Sequence, residues 1–79
     1  MNQKVYNAVK SGISDNNINF ADFQNLIVDL GFVVISQRGS HKTYYHYSIN
    51  EFMNIQKLGS KAKGYQVRQL RNIILTHNL

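Results

Sequence analysis

The chain has 79 residues, a net charge of +5, and neither cysteine nor proline. At this length only about 60% of the unfolded surface is buried, so a single domain with a modest core is expected. Without cysteine there is no disulfide framework and no thiolate metal site, and no apolar run of roughly 18 residues is present to span a membrane.

In chain order, Val5, Ala8 and Val9 fall at i, i+3 and i+4, which predicts a short helix over residues 3–10. The polar, turn-rich "SGISDNNIN" follows. The next helix has clear boundaries. Asn19 is a good N-cap and Asp22 suits the positive end of the dipole. Ile18 and Phe23 stand where a hydrophobic staple would close. Phe20, Phe23, Leu26, Ile27 and Leu30 repeat at helical spacing, and Gly31–Phe32 reads as a left-handed stop with an apolar residue after it. The helix is predicted over Phe20 to Leu30.

"FVVISQ" (32–37) is β-branched and short, and reads as a strand. "RGS" is a tight turn, and "HKTYYHYS" (41–48) is the returning strand of a hairpin. "FMNIQKL" (52–58) is a third strand. "GSKAKG" (59–64) reads as a loop because it is polar with glycine at both ends. "YQVRQLRNIILTH" (65–77) returns to helical spacing, with Val67, Leu70, Ile73, Ile74 and His77 along one side and Arg68 and Arg71 sharing another. A helix, three antiparallel strands and a helix, with a small helix in front, predict an α+β fold whose helices cover one sheet face. This order resembles the double-stranded-RNA-binding domain, which reads RNA by shape through 2′-hydroxyl and phosphate contacts.

The charge is uneven. Up to Ser36 two basic residues (Lys4, Lys10) stand against three acids (Asp15, Asp22, Asp29). From Gln37 onward seven (Arg38, Lys42, Lys57, Lys61, Lys63, Arg68, Arg71) stand against Glu51 alone. Such asymmetry points to a polyanion partner, with nucleic acid favoured for a chain of pI near 9.8. The opening "MNQKVYNAVKSG" has no long apolar run before a small-residue cleavage site, so a cytoplasmic location is expected.

Three pieces, "LGF" at the end of the first long helix, "RGSH" at the second strand and "GSKAKGYQVRQLRNII" into the last helix, together resemble the HicA family of toxin ribonucleases. The resemblance covers roughly residues 11 to 79, in the variant with an N-terminal helical extension (1–18) ahead of the core (19–79). It implies an mRNA interferase, an enzyme that cleaves RNA and blocks translation, neutralised by a HicB-type antitoxin lying over the active face. It also implies that His41 is the essential histidine. Two positions depart from the family pattern. Lys42 follows the histidine where another histidine or an arginine is frequent. Gly64 stands where a proline is common, which suggests a looser entry into the last helix.

The residues themselves make the chemistry plausible. RNA carries its own nucleophile, so an RNase that uses the 2′-hydroxyl needs a base, an acid and charge on the phosphate, and no metal or cofactor. Histidine titrates near physiological pH and suits either proton transfer, while lysine and arginine suit the phosphate. His41 is expected to act as base or acid beside the Gly39–Ser40 turn, with Lys42 and Arg38 near the phosphate. Lys61 and Lys63, ahead of a helix N-terminus, form a plausible phosphate cradle, and no P-loop motif is present. Arg68 and Arg71 would extend the RNA track. Tyr44, Tyr45 and Tyr47 are weaker candidates for base stacking. His46 lies an odd number of residues from His41 and so faces the other side of a regular strand. His77 is expected to cap the last helix. A non-catalytic RNA-binding module of the same fold is the alternative, and a DNA-binding accessory protein a more distant one. The free protein is expected to be a monomer.

Overall fold

A computed structural model describes all of residues 1–79. The order is α1 (Gln3–Ser11), α2 (Phe20–Asp29), β1 (Val33–Arg38), β2 (His41–His46), β3 (Glu51–Ile55), β4 (Lys57–Leu58), β5 (Lys61–Ala62) and α3 (Gly64–His77). The fold is α+β: three helices and a three-stranded antiparallel sheet in the order β1-β2-β3, with a small β4-β5 hairpin beside it. No helix is long and apolar enough to cross a membrane.

Local chemistry accounts for the helix ends. The Asn2 side chain accepts from the Val5 N–H at 3.2 Å, and that of Asn19 from the Asp22 N–H at 3.1 Å, so both caps satisfy an otherwise orphaned donor. Helix α2 closes in a Schellman arrangement. The Phe32 N–H donates to the Ile27 carbonyl at 3.2 Å and the Gly31 N–H to Val28 at 3.0 Å. Gly31 has φ +106°, and a Cβ there would stand 2.6 Å from His46 Nε2, so only glycine fits this stop.

Helix α1 is not a loose appendage to the core. Val5 and Val9 are buried in one apolar cluster with Ile18, Phe23, Leu26, Phe32, Met53 and Leu70. Helices α1 and α3 pack against each other. The Tyr6 hydroxyl donates to the Leu79 carbonyl at 2.9 Å, fastening the two termini together.

The third strand is shorter than its sequence suggests. The β2–β3 ladder ends at the pair Lys42–Ile55. Gln56 leaves it, because its backbone N–H is taken by the Gln66 side chain at 3.2 Å. Lys57 and Leu58 then turn through Gly59 to pair with Ala62 and Lys61. The segment expected as a loop thus carries a second hairpin. That hairpin is stitched to the entry of α2 by Ala62 N–H to Ile18 O and Phe20 N–H to Ser60 O, both 2.9 Å.

Helices α2 and α3 cover one sheet face, burying Tyr44 and His46 of β2 and Met53 and Ile55 of β3. The other face is open. Strand β1 skips a residue against β2: Val34 pairs with Tyr44, but Ser36 pairs with Thr43, leaving Ile35 as a β-bulge. The bulge resets the side-chain alternation. It puts Arg38 and its partner His41 on the open face, and Gln37 with Lys42 on the helix-covered face.

Candidate functional site

The tip of the β1–β2 hairpin is a two-residue turn, Gly39–Ser40, between the pair Arg38 and His41. Gly39 has φ +57° while Ser40 keeps a negative φ, the pattern of a type II′ turn with glycine first. A Cβ on Gly39 would meet nothing within 4 Å, so the turn is open to a ligand. His41 is exposed at its base, on the uncovered face with Arg38, Thr43 and Tyr45.

Gln56 ties this tip to the start of α3. Its Nε2 donates to Ser40 Oγ at 3.2 Å, and its Oε1 accepts from Lys63 Nζ at 2.9 Å. Gln66, only 3% exposed, anchors Gln56 through its backbone N–H and donates to the Tyr65 hydroxyl at 3.1 Å. A buried amide with both ends satisfied is rigid, because leaving either end unpaired costs about 1–3 kcal/mol. Lys63 therefore stands near the His41 turn. Helix α3 has no side-chain cap and no acid in its first turn, so its positive end is left open there.

Lys42 does not point to the same side as His41. Its Nζ donates to Gln24 Oε1 of α2 at 2.6 Å, on the helix-covered face. It lines a cleft between α2 and the hairpin tip together with Lys57 and Ser40. The expectation that Lys42 shares a phosphate directly with His41 is corrected: adjacent strand residues face opposite ways. Lys61 lies on β5, its ammonium held by the Asn17 side chain.

Of the two arginines of α3, Arg71 is taken up in an ion pair and does not extend an RNA track. Arg71 makes a bidentate pair with Asp15, Nη1 to Oδ1 at 2.8 Å and Nη2 to Oδ2 at 3.1 Å, and its Nη1 also donates to the Val9 carbonyl. Its side chain is 19% exposed and that of Asp15 13%. Arg71 is a clamp that holds the α1–α2 connection on α3. Its hydrogen bonds hold the Asp15 carboxyl below its usual range, against the opposing effect of burial, and the same pairing raises the guanidinium. Arg68 reaches Asp15 at only 3.9 Å and stays largely exposed.

The remaining histidines are structural. His46 is buried edge-on against Phe32, with ring centroids 5.1 Å apart, and its Nε2 donates to the Leu30 carbonyl at 2.9 Å. His77 contacts Glu51 Oε2 at 2.8 Å and so pins α3 to β3, while Asn78, in a left-handed conformation, closes the helix. Of the tyrosines, Tyr44 is buried and desolvation raises its phenol pKa. Tyr45 and Tyr47 stay on the open side, stacked edge-on at 4.6 Å.

Arg38, Lys42, Lys57 and Lys63 thus stand near the tip without one carboxylate partner, Lys42 and Lys57 on the cleft side; the ion pairs of the chain lie at Asp15 and Glu51. No three histidine or carboxylate groups lie together as metal ligands. The amides of Gln24, Gln56 and Gln66 were not anticipated from sequence. Gln66 had a readable signal: it stands four residues before Leu70 and seven before Ile73, on the apolar stripe, where a polar side chain must find a partner.

No family model, no curated protein and no solved structure matches the chain.

Proposed function

We propose that this protein is an endoribonuclease toxin of the HicA type, built on a double-stranded-RNA-binding-domain-like core, and that it cuts mRNA in the cytoplasm. The observation that carries the reading is an exposed imidazole, His41, at a bare glycine turn, with Arg38 paired to it across the hairpin and Lys63 tied to the same turn, neither cation neutralised by a carboxylate. Unpaired cations grouped at one end attract a polyanion, and releasing its counterions supplies affinity.

The chemistry uses the RNA's own nucleophile. The 2′-oxygen attacks the adjacent phosphorus and the P–O5′ bond breaks, leaving a 2′,3′-cyclic phosphate and a 5′-hydroxyl. One proton leaves the 2′-oxygen and one arrives on the 5′-oxygen. His41 performs one of these transfers. Arg38, paired with it across the hairpin, and Lys63, tied to Ser40 through Gln56, stabilise the charge that builds on the phosphate. A HicB-type antitoxin would cover this face and exclude RNA, and the free toxin would be a monomer.

One feature favours the binding-only alternative. No second imidazole or carboxylate faces His41, since His46 is on the buried side and His77 is engaged by Glu51. Incubation of purified protein with RNA in EDTA separates the two. Cleavage that is lost in His41→Ala while RNA binding persists supports the enzyme. Intact RNA with the wild type sinks it and leaves the binding module. The pH profile of kcat/KM assigns the role: activity lost on the acid side marks His41 as the base, activity lost on the alkaline side as the acid.

A further inference from the structure

The cleft on the far side of the hairpin tip has a composition of its own. It opens between the first turns of α2 and the Gly39–Ser40 turn, has a volume of about 410 Å³, and is walled by Phe20, Gln24, Gln37, Ser40, Lys42 and Lys57. That volume falls within the range of small-ligand sites, about 300–1,000 Å³. Its walls offer one half-buried aromatic ring, two primary amides, a hydroxyl and two ammonium groups, and no acid.

The polar groups are partly fixed in advance. Gln24 Oε1 holds the Lys42 ammonium at 2.6 Å without neutralising it, which leaves the Gln24 Nε2 hydrogens to donate. Gln37 Nε2 leans on the Gly39 carbonyl at 3.5 Å, which leaves Gln37 Oε1 to accept. A free donor and a free acceptor in one cleft suit the edge of a nucleobase, which presents both. Two ammonium groups without a carboxylate match a phosphate, and an aromatic ring takes the face of any base.

We propose that this cleft is a nucleotide subsite. It holds one nucleotide of a single RNA strand, with the phosphate on Lys42 and Lys57, the base against Phe20, and the base edge on Gln24 and Gln37. This rests on the RNA reading above and deepens it. The strand crosses the bare Gly39 turn, so the phosphate at His41 and the nucleotide in the cleft lie on opposite sides of one hairpin tip. The cleft, rather than the His41 face, then selects the base beside the cut.

The test uses the full chain carrying His41→Ala, labelled with nitrogen-15, and follows its amide resonances. It is titrated with each of the four nucleoside 5′-monophosphates and, separately, with inorganic phosphate. Saturable shifts at Gln24, Gln37, Ser40, Lys42 and Lys57 are expected, with at least a threefold spread in affinity among the four bases. Phosphate alone should bind at least tenfold more weakly. Gln24→Ala and Lys57→Ala, with the remaining resonances unmoved, should each lose at least threefold. Equal binding of phosphate and nucleotides marks the site as adventitious for anions only and overturns the proposal, as do shifts confined to the open face of the sheet or none at all. Because binding is read in a protein that cannot cut, this result stands apart from the cleavage assay. Nucleotide binding without RNA cleavage by the wild type removes the nuclease and keeps the subsite; cleavage with no nucleotide shifts does the reverse.

Discussion

The arginines of α3 and the cations near the hairpin tip behave in opposite ways. On α3, Arg71 and Arg68 share Asp15, so their positive charge is compensated and Arg71 serves to fasten elements together. Near the tip, Lys42 and Lys63 are held by amide oxygens of Gln24 and Gln56. An amide oxygen orients an ammonium group without cancelling its charge. The difference teaches that net charge is a poor guide to a binding face. What matters is which cations remain uncompensated and where they stand: Arg38, Lys42, Lys57 and Lys63 lie near one turn, while Lys4 and Lys10 stand apart on α1.

The largest expected effect is at the tip. His41→Ala should lower RNA cleavage by about 10²–10⁴-fold, the usual weight of a proton-transfer residue, while the melting temperature stays put because the side chain is exposed. Retained cleavage would break the assignment of the tip as the reactive end. His46, five residues along the same strand, is the contrast: its replacement should act on folding and not on chemistry.

Next comes Gly31→Ala. A side chain there needs φ +106° and meets the buried His46 ring at 2.6 Å, so about 3 kcal/mol should be lost. Thermal denaturation would register this as a fall of roughly 15 °C. A fall of only a degree or two would show that the ring can move aside.

The clamp should follow. Asp15→Ala leaves the mostly covered Arg71 unpaired and should cost about 2 kcal/mol, with RNA affinity nearly unchanged. Acid should do the same to the wild type. Because the folded Asp15 carboxyl titrates below its ordinary value of 3.8, its contribution is complete above that value. It disappears as pH falls through the lower folded value. Urea midpoints compared at pH 6 and pH 3 for wild type and Asp15→Asn would reveal it as a pH-dependent gap that closes in acid.

The smallest effect sharpens the comparison. Lys63→Ala should weaken RNA binding a few-fold and flatten the slope of log affinity against log salt by about 0.7, as for one phosphate contact to a single strand. Stability should move little. If Arg71→Ala instead gave that change in slope, the division between fastening and binding cations would fail.

Much of this could be read along the chain. The Asn19 cap, the Gly31 stop and the stripe through Leu26 and Ile27 are settled by neighbours within one helical turn. The RGSH turn is equally local, and so is the exposure of His41 at its base. The α+β order follows from the alternation of these signals. The bulge at Ile35 was not readable, since a skipped residue depends on how β1 and β2 register against the helices. The opposite facing of His41 and Lys42, by contrast, was legible in "GSHKT", since neighbours in one strand alternate sides.

Linear order, then, settled the main helices, the first hairpin, the Asn19 cap and the presence of a cationic half, because each depends on residues a few positions apart, but it missed the β4–β5 hairpin. Three-dimensional packing alone decided which cations stay free. Asp15 reaches Arg71 across 56 residues, Lys61 reaches Asn17 across 44, and Gln56 joins Ser40 to Lys63. Charge neutralisation acts through space over a few ångströms, and only the folded chain defines which groups lie that close.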